Sequence, residues 1–142
     1  MKRLTGRVAV VTGGGSGIGR STALRFAEEG ATVVTVDLDA KAAAGTSEIA
    51  EQHGGTCCWY ESDVSDHEAA NEIANDIVQR FGSLDVLVTA AGISVGKTVP
   101  DTLPEEWDNI FAVNVKGTYL WMRASVPHMS SGGSVIAIAS QL

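Results

Sequence analysis

A cluster of glycines early in the chain has the composition of a loop that binds phosphate. Gly13, Gly17 and Gly19 lie between a β-branched apolar run and a segment with helical spacing. Glycine lets main-chain N–H groups approach an anion, because a Cβ would block either the ligand or the positive φ that such loops use. The helix that follows adds the positive end of its dipole. The spacing therefore predicts a phosphate site at the start of the first helix.

Two nucleotide motifs come close to this pattern without matching it. The strict dinucleotide pattern G-x-G-x-x-G is not met, because Ile18 stands where the third glycine belongs. The stretch from Gly14 to Ser21 reads G-x-x-x-x-G-R-S, which resembles the P-loop of nucleoside triphosphatases with Arg20 in place of the lysine. An arginine fork is a poor substitute for that compact charge. This disfavours, but leaves open, a nucleoside triphosphate site.

A carboxylate after the second apolar run indicates which nucleotide is bound. Asp37 stands 18 residues after Gly19, near the spacing of about 20 expected for an acid that binds the ribose of a dinucleotide. There it would accept hydrogen bonds from the adenosine 2′- and 3′-hydroxyls and repel the 2′-phosphate of NADP. The next basic residue is Lys41. The position predicts NAD rather than NADP; the simpler interpretation is that Asp37 caps the next helix.

These residues need alternating strands and helices to position them. Short apolar runs typical of buried parallel strands lie at 8–12, 32–36, 56–60, 86–89 and 134–139. Helical patterns lie between them: one ending at Gly30, one over 40–52, an apolar stripe from Ala70 to Phe81 closed by Gly82, and a long helix from Pro104 to Pro127. The alternation predicts one α/β domain over residues 1–142, with a parallel sheet and right-handed crossovers.

Composition and charge argue against several classes of function. The 142 residues are 44% hydrophobic and carry a net charge of −7, which fits a globular domain and opposes nucleic acid or an anionic membrane as the main partner. No apolar run has the length needed to span a bilayer. The only cysteines are Cys57 and Cys58. We therefore expect no metal site, no disulfide framework and a cytoplasmic location.

Four segments, in order along the chain, resemble motifs of the classical short-chain dehydrogenase/reductase family. They are Thr12 to Gly19, similar to T-G-x-x-x-G-x-G; Asp63-Val64, similar to the D-V pair; Leu84 to Gly92, similar to L-D-V-L-V-N-N-A-G; and Asn114 to Gly117, similar to N-V-x-G. The resemblance extends from Leu4 to Ser140 and covers the N-terminal portion of the family. It implies a Rossmann-type, doubly wound parallel sheet in a three-layer αβα arrangement, cut short after the fifth strand.

The resemblance also implies which residues hold the cofactor. They are Gly13, Ser16, Gly17, Ile18, Gly19, Asp37, Leu38, Asp63, Val64, Ala90, Ala91 and Gly92. The side chain of Asp63 can accept a hydrogen bond from the adenine amino group, at the strand end where open sheets bind ligands. The alternative is that Asp63 and Ser65 only cap the following helix.

Two further residues are implied to be catalytic. Asn114 falls on one helical stripe with Trp107, Phe111 and Trp121, which we expect to face inward, and a buried amide needs partners. By resemblance it perturbs this helix and holds a water in a proton relay; the alternative is a satisfied core asparagine. Ser140 matches the serine that binds the substrate oxygen, although apart from the resemblance it is one serine in a loop.

The chain departs from the family in two places. Thr89 and Ala90 replace two asparagines; we expect the Thr89 hydroxyl to replace part of a structural amide between the central strands, and Ala90 to meet the cofactor through its main chain. The Tyr-x-x-x-Lys pair of the family falls beyond residue 142. We therefore expect these residues to be part of a longer protein and to be inactive alone, with the fifth strand left as an open edge.

The implied activity of the whole protein is hydride transfer between NAD(H) and a secondary alcohol or ketone. Candidate substrates are small molecules such as a 3-oxoacyl group, a sugar or a polyol, and the family implies a homo-oligomer, either a dimer or a tetramer. A competing hypothesis is a non-catalytic NAD-binding sensor or interaction module built on the same fold.

Overall fold

The structure, a computed structural model, describes residues 1–140. Strands and helices alternate along them. The strands are β1 (Val8–Thr12), β2 (Thr32–Asp37), β3 (Thr56–Glu61), β4 (Val86–Thr89) and β5 (Ser134–Ala137). The helices are α1 (Gly17–Glu28), α2 (Ala40–Gln52), α3 (His67–Phe81), α4 (Pro104–Phe111) and α5 (Thr118–Ser125), with a π-helical turn (Ala112–Gly117) between α4 and α5.

The five strands form one parallel sheet in the order β3-β2-β1-β4-β5. The central strand β1 pairs on one side with β2, where Val10 opposes Val34, and on the other with β4, where Val10 opposes Leu87. The chain adds strands outward in one direction up to β3 and then returns to the other side of β1. The predicted doubly wound parallel sheet is therefore confirmed, with its topological switch between β1 and β4.

Helices cover both faces of the sheet. Alternate residues of β1 point to opposite sides: Val10 packs with Ile77 of α3 and Trp121 of α5, whereas Val11 packs with Ala23 of α1. Because both faces are covered at β1, the strand is apolar from Val8 to Val11 and all five of its residues, including Thr12, are buried. The three-layer αβα arrangement is confirmed.

The long helix predicted from Pro104 to Pro127 is interrupted by the π-helical turn. A π turn holds more residues than an α turn, so the 3.6-residue stripe does not continue across it. Trp121 is fully buried, but Trp107 is 55% exposed and Phe111 is 45% exposed; their rings stack on each other with centroids 4.7 Å apart. The prediction that Trp107 and Phe111 share an inward face with Trp121 was wrong for this reason.

The fifth strand is shorter than predicted. It ends at Ala137, which pairs with Thr89, the last residue of β4. One further hydrogen bond follows, from the Ile138 N–H to the Thr89 carbonyl at 3.0 Å. The strand ends there because β4 itself ends at Thr89 and has no later residue to pair with. All four residues of β5 are exposed.

Within residues 1–140, no helix has both the length and the apolar character needed to cross a membrane.

Candidate cofactor site

A cleft of about 410 Å³ lies at the carboxyl ends of the central strands, lined by the chain that follows β1, β2, β3 and β4. This is the topological switch point, at which open α/β sheets bind ligands. The structure brings all twelve predicted cofactor residues to this cleft: Gly13, Ser16, Gly17, Ile18, Gly19, Asp37, Leu38, Asp63, Val64, Ala90, Ala91 and Gly92. Four lining residues were not predicted: Ser62, Ile93, Asn109 and Val113.

Gly17 leaves open space in the cleft. Its φ is +52°, a conformation that side chains rarely adopt, and a Cβ built on it would meet no atom within 4 Å. The neighbouring Gly13 differs, because its Cβ would lie 2.7 Å from the Ala91 nitrogen. Gly13 therefore lets the loop pack against the chain after β4, whereas Gly17 leaves room that no protein atom fills.

The first turn of α1 lacks the side chains that usually neutralise a helix N-terminus. Ser16, at the N-cap, makes no side-chain capping bond, and the first turn holds no acidic residue. The neighbouring helices differ: Asp39 caps α2, and Asp66 caps α3 with Glu68 in its first turn. Free N–H groups at a helix N-terminus attract anions. This loop therefore fits the pyrophosphate of a dinucleotide.

Asp37 is fixed at the end of β2 by two main-chain N–H groups. Its Oδ2 accepts from Gly15 at 2.8 Å, and its Oδ1 accepts from Asp39 at 3.0 Å. The cap of α2 is Asp39, whose Oδ1 accepts from the Ala42 N–H. The interpretation of Asp37 as a helix cap was therefore wrong, because Asp39 holds that position. The half-buried carboxylate of Asp37 lines the cleft instead.

Asp63 likewise is not the cap of the helix that follows it. Its Oδ1 accepts from the N–H and the hydroxyl of Ser65, at 2.8 and 2.7 Å. The cap of α3 is Asp66, which accepts from the N–H groups of Glu68 and Ala69. Asp63 is exposed at the cleft, while the neighbouring Val64 is buried. The alternative of an Asp63–Ser65 helix cap was wrong, because Asp66 caps α3.

Asn114 joins the π-helical turn to the loop after β4. Its Oδ1 accepts from the Ile93 N–H at 2.8 Å, and its Nδ2 donates to the Ile93 carbonyl at 2.9 Å. The amide is half-buried, and one residue of the loop pairs with both of its ends. The side chain therefore holds in place a segment that lines the cleft. Its part in a proton relay stays a prediction.

The structure shows the surroundings of three other residues that the sequence singled out. The Thr89 hydroxyl is buried and has no hydrogen-bond partner among the described residues, so it does not replace the amide as expected, because its short side chain reaches no polar group. Arg20 donates from Nε to Thr46 of α2 at 3.2 Å and does not line the cleft, which removes the basis for a P-loop. Ser140 is exposed beyond β5 and outside the cleft lining; its catalytic role stays a prediction.

Thr12 is a positioning residue that sequence reasoning missed. Its carbonyl accepts from the Ala90 N–H at 3.2 Å and its hydroxyl accepts from the Ala91 N–H at 3.4 Å. These bonds extend the pairing of β1 with β4 past the last strand residues and fix the wall of the cleft. The available signal was a buried threonine at the end of the first strand.

Comparisons with known proteins agree with this geometry. The profile of the short chain dehydrogenase family matches residues 7–142. The chain is 36% identical over 140 residues to 3-oxoacyl-(acyl-carrier-protein) reductase FabG of Thermotoga maritima, covering 97% of this chain and 57% of the relative. It is 37% identical over 144 aligned positions to glucose 1-dehydrogenase 2 of Bacillus subtilis, covering 98% and 56%.

A solved structure gives the same result. A short chain dehydrogenase from Mycobacterium paratuberculosis bound to NAD superposes with a TM-score of 0.93 at 29% identity, covering 97% of this chain and 57% of that one. The chain thus spans a little over half the length of these relatives. On the matched family profile and these identities, the chain belongs to the short chain dehydrogenase family.

Proposed function

We propose that the protein to which this chain belongs is an NAD-dependent oxidoreductase. The observation that carries the choice of cofactor is the charge of the cleft. Among residues 1–140, its lining includes the carboxylates of Asp37 and Asp63 and no Arg or Lys. A 2′-phosphate beside Asp37 would place like charges together without a cation to offset them, whereas ribose hydroxyls would donate to the carboxylate.

Each part of the cleft has a defined task in this proposal. The nicotinamide, when bound, supplies or accepts the hydride. The N–H groups at the start of α1 bind the pyrophosphate, Asp37 binds the adenosine ribose, and Asp63 with Val64 binds the adenine. The Asn114–Ile93 pair keeps the segment after β4 against the cleft. Ser140 orients the oxygen of the substrate.

The proposed substrate is a small molecule with a secondary alcohol or a ketone. Two relatives are named 3-oxoacyl-(acyl-carrier-protein) reductase and glucose 1-dehydrogenase, so a 3-oxoacyl group, a sugar and a polyol are the classes to test first. Cys57 and Cys58 are both free, in keeping with a reducing compartment, and we propose the cytoplasm.

We also propose that the protein is a homo-oligomer. A groove of about 450 Å³ on the outer side of α4 and α5 is lined by Asp108, Phe111, Ala112, Val115, Lys116 and Tyr119. Phe111, Val115 and Tyr119 are 45%, 56% and 59% exposed. Such an apolar face indicates a protein interface. A second copy in antiparallel orientation would bring Asp108 of one protomer toward Lys116 of the other.

The proposal is tested by titrating the chain with NADH and NADPH, following nicotinamide fluorescence. We expect the parent to bind NADH more tightly. Asp37→Ala should weaken NADH binding by about 1–3 kcal/mol, or roughly 5- to 150-fold in Kd, because hydrogen bonds to a charged group are lost. Gly17→Val should abolish binding of both, because a branched side chain would enter the space left for the pyrophosphate.

Gly45→Ala provides the control. Gly45 lies on α2 outside the cleft lining, and a Cβ there would meet no atom within 4 Å, so both affinities should be unchanged. A parent that prefers NADPH, or an Asp37→Ala variant with parental affinity for NADH, would show that the assignment of the ribose site is wrong.

A further inference from the structure

Gly15 connects the glycine loop to the carboxylate that lines the cleft. Its N–H donates to Asp37 Oδ2 at 2.8 Å, while Oδ1 of the same carboxylate accepts from the Asp39 N–H at 3.0 Å. One oxygen is thus held by the loop after β1 and the other by the chain after β2. Two charge-assisted bonds from separate segments fix the orientation of the carboxylate plane. We call this arrangement of Gly15, Asp37 and Asp39 the carboxylate clamp.

The clamp requires that residue 15 have no side chain. A Cβ on Gly15 would lie 2.8 Å from Asp37 Oδ2 and 2.8 Å from the Cβ of Ala42, closer than real Cβ atoms approach their neighbours. Unlike Gly13 and Gly17, Gly15 does not have a positive φ. Residue 15 is therefore a glycine because a side chain would not fit there, and not because its backbone conformation requires one.

The surroundings of Gly15 have little freedom to move away. Gly15 itself is buried. Ala42 lies in the first turn of α2, where its N–H is held by the Asp39 cap at 3.0 Å. The loop just before Gly15 is tied to β2, because Gly13 donates to the Val36 carbonyl at 2.8 Å. A side chain at residue 15 would therefore displace the Asp37 carboxylate, the only one of these neighbours that ends in a rotatable group.

Gly15 does not line the cleft, whereas Asp37, which its N–H holds, does. We propose that Gly15 is a positioning residue for cofactor choice: it holds the Asp37 carboxylate where it accepts the ribose hydroxyls and excludes a 2′-phosphate. This inference rests on the proposed function, which gives Asp37 that role. It predicts that substitution of Gly15 changes the ratio of the NADH and NADPH affinities, beyond any general loss of binding.

The test is a double-mutant cycle between residues 15 and 37. The Kd values for NADH and NADPH are measured for the parent, Gly15→Ala, Asp37→Ala and the double variant. We expect Gly15→Ala to reduce the preference for NADH about 10-fold, in line with the loss of a hydrogen bond to a charged group. In the Asp37→Ala background the same change should leave the ratio unaltered, because the residue it positions is gone.

Several outcomes would overturn the proposal. An unchanged ratio in Gly15→Ala would show that the carboxylate does not depend on the clamp. An equal loss for both dinucleotides in both backgrounds would show only a damaged loop. Gly45→Ala again serves as the control, since it adds the same methyl group in open space.

A measurement without cofactor separates this inference from the proposed function. In the cofactor-free chain, Asp37→Ala should shift the amide resonance of Gly15 strongly and that of Gly45 little, because the hydrogen bond to Asp37 is removed. Absence of that shift would refute the clamp whatever the chain binds. A parent that binds neither dinucleotide would refute the proposed function, and with it the role in cofactor choice, even where the clamp itself is observed.

Discussion

Asp85 is a buried charge that ties together the amino ends of the two central strands. Its Oδ2 accepts from the Val8 N–H at 2.9 Å and from the Ser83 hydroxyl at 2.8 Å, and its Oδ1 accepts from Arg7 at 3.2 Å. The residue is 4% exposed. Burial alone would raise the pKa of the carboxyl, but the hydrogen bonds from Val8, Ser83 and Arg7 outweigh it and lower the pKa below its ordinary value.

The lowered pKa of Asp85 predicts a pH dependence of stability. Because the folded pKa lies below the unfolded one, the ionised carboxylate stabilises the fold above about pH 4, and this contribution is lost as the pH falls through the folded pKa. Asp85→Asn should lower the free energy of unfolding at pH 7 by about 1–3 kcal/mol. The difference from the parent should shrink at pH 3, as measured by urea denaturation.

Glu48→Gln is the matched control for Asp85→Asn. Glu48 is exposed on α2, so the same loss of a carboxylate should have little effect at either pH. Equal stability of Asp85→Asn and the parent at pH 7 would contradict the assigned role of the buried carboxylate.

At the scale of elements, the π-helical turn positions part of the cleft. It contains Asn114, which holds Ile93, and it ends at Gly117, which packs on Val64. A Cβ on Gly117 would lie 2.7 Å from Val64 Cγ2 and 3.1 Å from Val64 Cβ. The turn therefore touches the lining of the cleft from two sides, at the chain after β4 and at the chain after β3.

This contact predicts that two glycine-to-alanine substitutions in helices have opposite signs. Gly45→Ala should stabilise the protein by about 0.5–1 kcal/mol, as expected for a helix interior with open space. Gly117→Ala should destabilise it by about 1–3 kcal/mol, since the stiff β-branched Val64 cannot turn away. Thermal unfolding of the two variants beside the parent measures both. A stabilised Gly117→Ala would show that the contact is not restrictive.

The elements differ in how far sequence could predict them. The strands and α2 follow from local patterns, and β1, α2 and β4 begin and end where those patterns do. Periodicity alone could not predict the π-helical turn. The family resemblance implied that Asn114 perturbs this helix, and the turn at Ala112–Gly117 contains that residue, but its pairing with Ile93, 21 residues away, is a contact that no local pattern gives. The presence of the turn rotates Trp107 and Phe111 out of the stripe that periodicity predicted.

The residues of the cleft also differ in whether the sequence could predict them. The twelve predicted residues could be named because the family resemblance implied them, and because the carboxyl ends of parallel strands meet at one edge of the sheet. Asn109 and Val113 could not, since their places depend on how α4 packs after the interrupted helix. The sequence shows Gly15 in the glycine loop, but only the three-dimensional structure shows that its N–H donates to the Asp37 carboxylate.

At the scale of the whole molecule, the groove on α4 and α5 predicts the assembly. Phe111→Glu should convert the proposed oligomer to monomers, because a charge would be buried between the protomers. Sedimentation velocity measures the change. Val99→Glu, at a residue 88% exposed and outside the groove, should leave the assembly intact. A parent that is monomeric at every concentration, or that keeps its assembly in Phe111→Glu, would contradict the proposed interface.

The pairing of β1 also has a consequence for the order of assembly. Its β2 neighbour lies close along the chain, but three helices and two strands separate β1 from its β4 neighbour, where Val10 opposes Leu87. Closing so long a stretch carries an entropic cost that slows non-local pairing. Gly13 to Gly19 and Asp37 belong to the β1-α1-β2 unit, whereas Ala90 to Gly92 follow β4. The two walls of the cleft therefore meet only when β1 has paired with β4. A dinucleotide that needs both walls binds chains in which this pairing has formed, and so slows their unfolding.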